Sequence, residues 1–299
     1  MSKLSGSISE IGFHGIPAVL LETAGGASAV VSLYGGQVLS WQPANGEEWL
    51  YLSPRAAFGS AQPIRGGVPI CFPQFSTLGG LPRHGLVRTK TWKIGEKRQG
   101  EAAGDSGEVM LTLTLEDDAA TRAVWPHRFA AELTVLLSDE RLDIELGIDN
   151  RGDQEFDFTA ALHTYLKVGD IEDVSLDGLR GLNYRDAADN DVVKAEHGNV
   201  VMIRGEVDRV YRNTSDTLML NEPQRSLGVH SENFPDVVVW NPGERRGAEI
   251  ADLPADGWQN FVCVEAGAIE LPITLPPGET WWGRQTLLDL AAASANRIE

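Results

Sequence analysis

The feature that most restricts how this chain can fold is a recurrence of short runs in which apolar and polar residues alternate, each closed by Gly, Pro, Asn or Asp. Such runs occupy residues 29–33, 109–115, 131–137, 142–148, 156–166, 236–240 and 261–269. Successive side chains of a strand point to opposite faces, so alternation marks a strand with one face buried. A helix would instead place apolar residues three and four apart. That helical spacing is scarce: 117–122 suggests a single helical turn, and 287–293 would close the chain as a helix or a last strand. Polar stretches at 138–141 and 150–153 read as hairpin turns. The polar stretch 96–108 reads as a long hairpin loop between strands, not as a linker. Together these signals predict an all-β protein, a large antiparallel sandwich. With 299 residues, no short-period repeat and no Pro/Ser-rich linker, one domain spanning 1–299 is expected.

Composition narrows the partners. A formal net charge of −18 disfavours nucleic acid and anionic membranes. No run approaches the roughly 18 apolar residues of a membrane helix, and residues 1–15, with one lysine and no long apolar stretch, do not form a secretory signal. The two cysteines, Cys71 and Cys263, each sit in an apolar run. They read as small buried hydrophobes in a reducing compartment rather than as a disulfide, and alone they cannot build a structural zinc site. The expectation is a cytoplasmic protein, with a monomer as the simplest oligomeric state.

Polar residues stand out against this apolar background. In 156–166, Phe156, Phe158, Ala160 and Leu162 share one face, and Asp157, Thr159, Ala161, His163 and Tyr165 the other. That puts His163 in mid-strand. In 261–269, Phe261, Cys263 and Glu265 share a face opposite Val262, Val264 and Ala266. A lone His of this kind is by default a core or surface residue bonded to a backbone carbonyl, and a lone Glu a strand-end partner of an arginine. As a pair they are candidates for general acid–base chemistry. Residues 63–75, PIRGGVPICFPQF, combine three prolines with Gly66 and Gly67, a backbone able to approach a ligand closely. Residues 81–88, LPRHGLVR, add Arg83, His84 and Arg88. Arg65, Arg83 and Arg88 would supply the basic pocket that an anionic sugar needs inside an acidic protein; the plain alternative is scattered surface arginine.

Seven segments carry a family resemblance: IRGGVPICFPQF (64–75), LPRHGLVR (81–88), ALHTYLKVGD (161–170), VDRVY (207–211), VVWNPGE (238–244), FVCVEAG (261–267) and LPPGETWWGRQTL (275–287). In this order they resemble the aldose 1-epimerase superfamily, and the first two resemble its hexose-6-phosphate branch, the glucose-6-phosphate 1-epimerases. The resemblance implies a galactose mutarotase-like β-supersandwich that interconverts the α and β anomers of a hexose 6-phosphate, with no cofactor. It implies His163 as general acid and Glu265 as general base. Arg65 and Arg88 would bind the phosphate, Arg83 would add to it, and His84 would line the pocket. Asp208 would contact sugar hydroxyls, with Gln74 and Trp240 in the same substrate-binding set. Roles of this kind call for Glu265 ionised and His163 protonated near neutral pH. Proximity of the two would favour both, against the desolvation that raises a buried carboxyl. Three other readings remain at this point: a mutarotase of unphosphorylated sugars, a silent carbohydrate-binding protein, and a glycoside hydrolase using Asp208 as its second carboxylate.

Overall fold

The structure is a computed structural model that describes residues 6–59, 61–99 and 107–290. Two large antiparallel sheets dominate it, and a third, four-stranded sheet is built from Ser7–Phe13, Ile16–Glu22, Ser28–Ser32 and Gln37–Gln42. The nine-stranded sheet is centred on Thr280–Asp289, Arg141–Asn150, Phe129–Leu137 and Val109–Glu116. The eight-stranded sheet runs Val192–Ala195, Asn183–Asp186, Val207–Arg212, Asp236–Asn241, Phe261–Leu275, Phe156–Leu162 and Ile70–Cys71, and Tyr165–Lys167 also pairs with Phe261–Leu275. No helix among the described residues is long and apolar enough to cross a membrane.

The alternation read from 261–269 is the division between two cores. Val262, Val264, Ala266 and Ala268 enter the main hydrophobic core, which also takes Ile144, Leu146 and Ile148 from the nine-stranded sheet. Phe261 and Cys263 point the other way, into a smaller cluster with Tyr51, Tyr165 and Trp240. Over 261–269 this central strand buries both of its faces. The second face of the eight-stranded sheet is where the polar residues singled out above emerge.

Several local expectations change. The run 156–166 is not one strand: it divides into Phe156–Leu162 and Tyr165–Lys167, and His163 sits in the interruption rather than in mid-strand. The ladder stops because other groups take its hydrogen bonds. His163 N–H donates to Pro69 O at 2.9 Å, and Tyr165 N–H donates to Gly67 O at 2.9 Å. Thr164 Oγ1 donates to Gln285 Oε1, and Gln285 Nε2 donates to Val264 O at 3.0 Å. The 138–141 turn is a hairpin between Phe129–Leu137 and Arg141–Asn150. The 150–153 stretch instead carries the chain from the nine-stranded to the eight-stranded sheet, pinned by Asn150 Nδ2 on Gln154 O and Leu275 O, each at 2.8 Å. Lys93–Gln99 pairs with Val109–Glu116, so the loop expected at 96–108 starts later, and 100–106 lie outside the described residues. The helical turn is Ala119–Val124, capped reciprocally by Asp118 and Thr121. The last run is strand through Asp289, and 291–293 lie outside the described residues.

Candidate active site

The segment 63–75 lies across the edge of the eight-stranded sheet, and its two glycines explain how. Gly66 has φ +112°, and a Cβ there would fall 2.3 Å from Tyr51 O; at Gly67, φ +60°, one would fall 2.2 Å from Val38 O. The close approach these glycines permit is therefore to the protein's own backbone, not to a ligand. It fastens the segment to neighbouring strands and leaves Arg65 on one side and the carbonyls that hold His163 on the other.

The result is a cavity of about 540 Å³, large enough for a hexose phosphate, lined by His163, Glu265, Arg65, Arg83, His84, Arg88, Asp208 and Trp240. The sequence separates these residues by up to two hundred positions, and the topology brings them to one face. Gln74 is the exception. It is buried beside the cavity, with Nε2 donating to Ser76 O (3.0 Å) and Leu81 O (3.1 Å) and Oε1 accepting from Leu81 N–H (2.9 Å). Both ends of its amide are spent on closing the loop 75–82 that delivers Arg83 and His84, so the substrate contact expected of Gln74 is replaced by a loop brace.

His163 and Glu265 form the floor. His163 Nδ1 and Glu265 Oε1 are 3.3 Å apart, and the two side chains are almost wholly buried. Among the described residues, neither His163 Nδ1 nor Glu265 Oε2 has a hydrogen-bond partner. The His163 ring stacks on Tyr165, with centroids 4.9 Å apart and 9° between planes, and meets Trp240 edge-on at 5.8 Å. Aromatic walls fix the imidazole plane and exclude water. Trp240 thus acts on His163 as well as lining the cavity.

Burial sets the charge state of this pair. It pushes the Glu265 carboxyl well above its usual range, and nearby Asp208 pushes the same way. Burial pulls His163 well below the usual histidine range, helped by His84, Arg65 and Arg88. This reverses the direction expected from the sequence: desolvation of both groups outweighs their mutual attraction. Both shifts act toward a proton on Glu265 and a neutral imidazole. An NMR titration of the free protein is expected to show no His163 midpoint near the reference value of about 6.5. A midpoint there would mean that the imidazole is hydrated and titrates independently.

The arginines differ from one another. Arg65 Nε donates to Asp252 Oδ1 at 3.1 Å and Nη1 donates to Tyr165 Oη at 2.9 Å. Its charge is met within the protein, and its guanidinium is held beside the acid–base pair. Arg88 Nη2 donates to Arg83 O at 2.7 Å. Among the described residues neither Arg83 nor Arg88 forms an ion pair, and both line the cavity. Asp208 is raised, first by burial, against the pull of Arg246 and Arg83. Tyr165, read from the sequence only as sharing the face of His163, also lines the cavity, as do Asp252 and Arg246, which carried no sequence signal of their own. Asp252 stands 187 positions from the arginine it pairs with.

Both cysteines are buried and unpaired. Cys263 brings its sulfur within 4.8 Å of ligand atoms of His163 and Glu265, a donor set that suits a borderline-soft divalent ion. Burial keeps that thiol protonated, and the two other groups have a use as an acid–base pair.

Comparison with known proteins gives this geometry a family. The family model described as Aldose 1-epimerase matches residues 17–287. The chain belongs to the aldose 1-epimerase family. Among this family's members, a protein from Cenchrus ciliaris is 36% identical over 278 residues, covering 91% of this chain and 84% of its own. One from Escherichia coli strain K12 is 36% identical over 241 residues, covering 79% and 78%. Both carry the name "Putative glucose-6-phosphate 1-epimerase". The solved structure of a "putative mutarotase (YeaD)" from Salmonella typhimurium superposes with a TM-score of 0.84 at 30% identity, covering 94% of this chain and 93% of that one. Galactose 1-epimerase from Lactobacillus acidophilus NCFM shares the fold, with a TM-score of 0.71 at 17% identity and coverage of 95% and 98%. The aldose 1-epimerase fold is thus the antiparallel sandwich expected from the alternating runs.

Proposed function

We propose that this protein interconverts the α and β anomers of a hexose 6-phosphate, glucose 6-phosphate first among them, by acid–base ring opening and reclosure. The observation that carries the reading is the meeting, in one cavity, of a buried His163–Glu265 pair with two arginines, Arg83 and Arg88, that form no ion pair among the described residues. The names of the relatives point the same way.

A proton on Glu265 does not obstruct the chemistry. A protonated carboxyl with neutral imidazole, and a carboxylate with imidazolium, hold the same number of protons and differ by one transfer across the 3.3 Å gap. After that transfer Glu265 removes the proton from the C1 hydroxyl, and His163 delivers one to the ring oxygen. The C1–ring oxygen bond breaks, leaving an open-chain aldehyde with Glu265 protonated and His163 neutral, the very state that burial favours. Rotation about C1–C2 presents the other face of the carbonyl, and the two transfers run backwards to close the ring. No covalent intermediate is required, and general acid–base catalysis of this kind contributes about 10²–10⁴-fold. Asp208 and the Asp252-anchored Arg65 are placed to take sugar hydroxyls, and Arg83 and Arg88 the phosphate. The phosphate role first expected of Arg65 passes to Arg83, because Asp252 and Tyr165 already occupy Arg65.

All assigned residues lie on one chain, which supports a monomer as the acting species, and two buried free thiols suit a reducing cytoplasm. The reading is tested by NMR exchange spectroscopy on glucose 6-phosphate, with free glucose and galactose in parallel. Selective acceleration of the phosphosugar is expected. Equal or greater acceleration of the free sugars would make this a general mutarotase, and binding without acceleration a silent sugar-binding protein.

A further inference from the structure

Cys71 is fully buried and plays no part in the chemistry above, yet its sulfur lies 3.1 Å from Nδ1 of His84. A second group meets the same nitrogen: the Ser76 backbone N–H, at 3.3 Å. A backbone N–H has only a proton to offer, so this long contact favours a bare Nδ1 without fixing it alone. The thiol is kept protonated by burial and offers a proton as well. The ring carbon side is no freer. His84 packs edge-on against Phe75 and His163, with centroids 5.1 and 5.3 Å away, and its own N–H returns to Ser76 O at 2.9 Å. Both His84 (φ +62°) and Ser76 (φ +48°) hold left-handed backbone conformations that such residues rarely adopt, which this reciprocal clamp maintains.

We propose that Cys71 is a positioning residue: with the Ser76 amide it donates to His84 Nδ1, fixing His84 as a neutral imidazole that presents Nε2–H to the substrate. Nε2 lies across the ring from the clamp. It has no protein partner among the described residues and belongs to a side chain that lines the cavity. Arg65, Arg83, Arg88 and His163 surround the ring. Burial and the three arginines hold His84 down to about 2, which favours the neutral ring. The consequence is a division of labour between the two histidines of the cavity. His163, beside Glu265, moves protons. His84 does not; it offers a fixed hydrogen-bond donor to an oxygen of the sugar. A ring free to exchange tautomers would spend part of its time offering that oxygen a lone pair instead.

This inference rests on the proposed epimerase reading only for its kinetic half. The structural half is read by long-range ¹H–¹⁵N correlation spectroscopy on protein labelled at histidine nitrogen, with His84→Gln used to assign the signals among the 6 histidines. At neutral pH the wild-type protein is expected to show His84 with a protonated Nε2 and a bare Nδ1. Cys71→Ser, which keeps a donor, should retain that pattern and the turnover. Cys71→Ala should mix in the other tautomer and lower kcat by up to about tenfold, the worth of one neutral hydrogen bond, with KM little changed. Wild-type His84 protonated on Nδ1, alone or on both nitrogens, overturns the proposal whatever the variants do. So does a Cys71→Ala protein in which tautomer and turnover fail to change together. A wild-type protein that accelerates no sugar would remove the epimerase reading, while the tautomer measurement would still decide the clamp.

Discussion

Glu265→Gln is expected to abolish most anomer exchange, by about 10²–10⁴-fold, while leaving the fold and substrate affinity in place. Two facts make the variant unusually clean. First, burial favours the neutral acid of Glu265, so a neutral amide of nearly the same shape takes the place of the favoured form. The usual penalty for altering a buried charge does not arise, and the thermal midpoint should be unchanged or slightly higher. Second, Glu265 Oε2 has no hydrogen-bond partner to lose among the described residues. An amide cannot exchange a proton with His163 or take one from C1–OH, so kcat bears the whole loss. The measurement is exchange spectroscopy at saturating glucose 6-phosphate beside a calorimetric Kd. A folded Glu265→Gln protein that keeps substantial turnover would remove Glu265 as the base and leave Asp208, a second cavity-lining carboxylate raised by burial, to take its place.

How much of this was legible in the sequence depends on how local each feature is. The faces of 261–269 could be read directly, because strand alternation is a property of neighbouring residues, and the cores divide along that line. The break at His163–Thr164 could not. It is made by Pro69 O and by Gln285, which lies 121 positions from Thr164. The site residues were found as motifs, and Gln74 shows the limit of that route: a glutamine between a proline and an aromatic reads the same whether its amide faces a ligand or closes a loop. Asp252 is one of many acidic residues in a chain of net charge −18, with nothing local to distinguish it. Charge states were the least legible. Proximity could be guessed from the motifs, but desolvation depends on the aromatic walls that Tyr165 and Trp240 build around His163, and desolvation prevails.

Arg88→Met is expected to lower kcat/KM for glucose 6-phosphate by about 10- to 100-fold, the loss of a charge-assisted contact, and to leave exchange of free glucose little changed. The contrast follows from how the arginines are held. Arg65 is tied to Asp252 and Tyr165 at the acid–base pair, so Arg65→Met should impair phosphorylated and free sugars alike. Arg83 and Arg88 have no carboxylate partner among the described residues, and a protein of this net charge repels a dianion at a distance. Any preference for phosphosugar must therefore come from these two heads at close range. Because one phosphate would meet both, their effects should not add: Arg83→Met with Arg88→Met should cost measurably more or less than the sum of the single changes. Added salt should weaken the wild-type preference and have little left to weaken in the double variant. If Arg88→Met impaired both sugars equally, the phosphate assignment would fail and the pair would be part of the sugar-binding floor. If the two changes proved strictly additive, Arg83 and Arg88 would be acting on different groups, and the shared phosphate site would have to be given up.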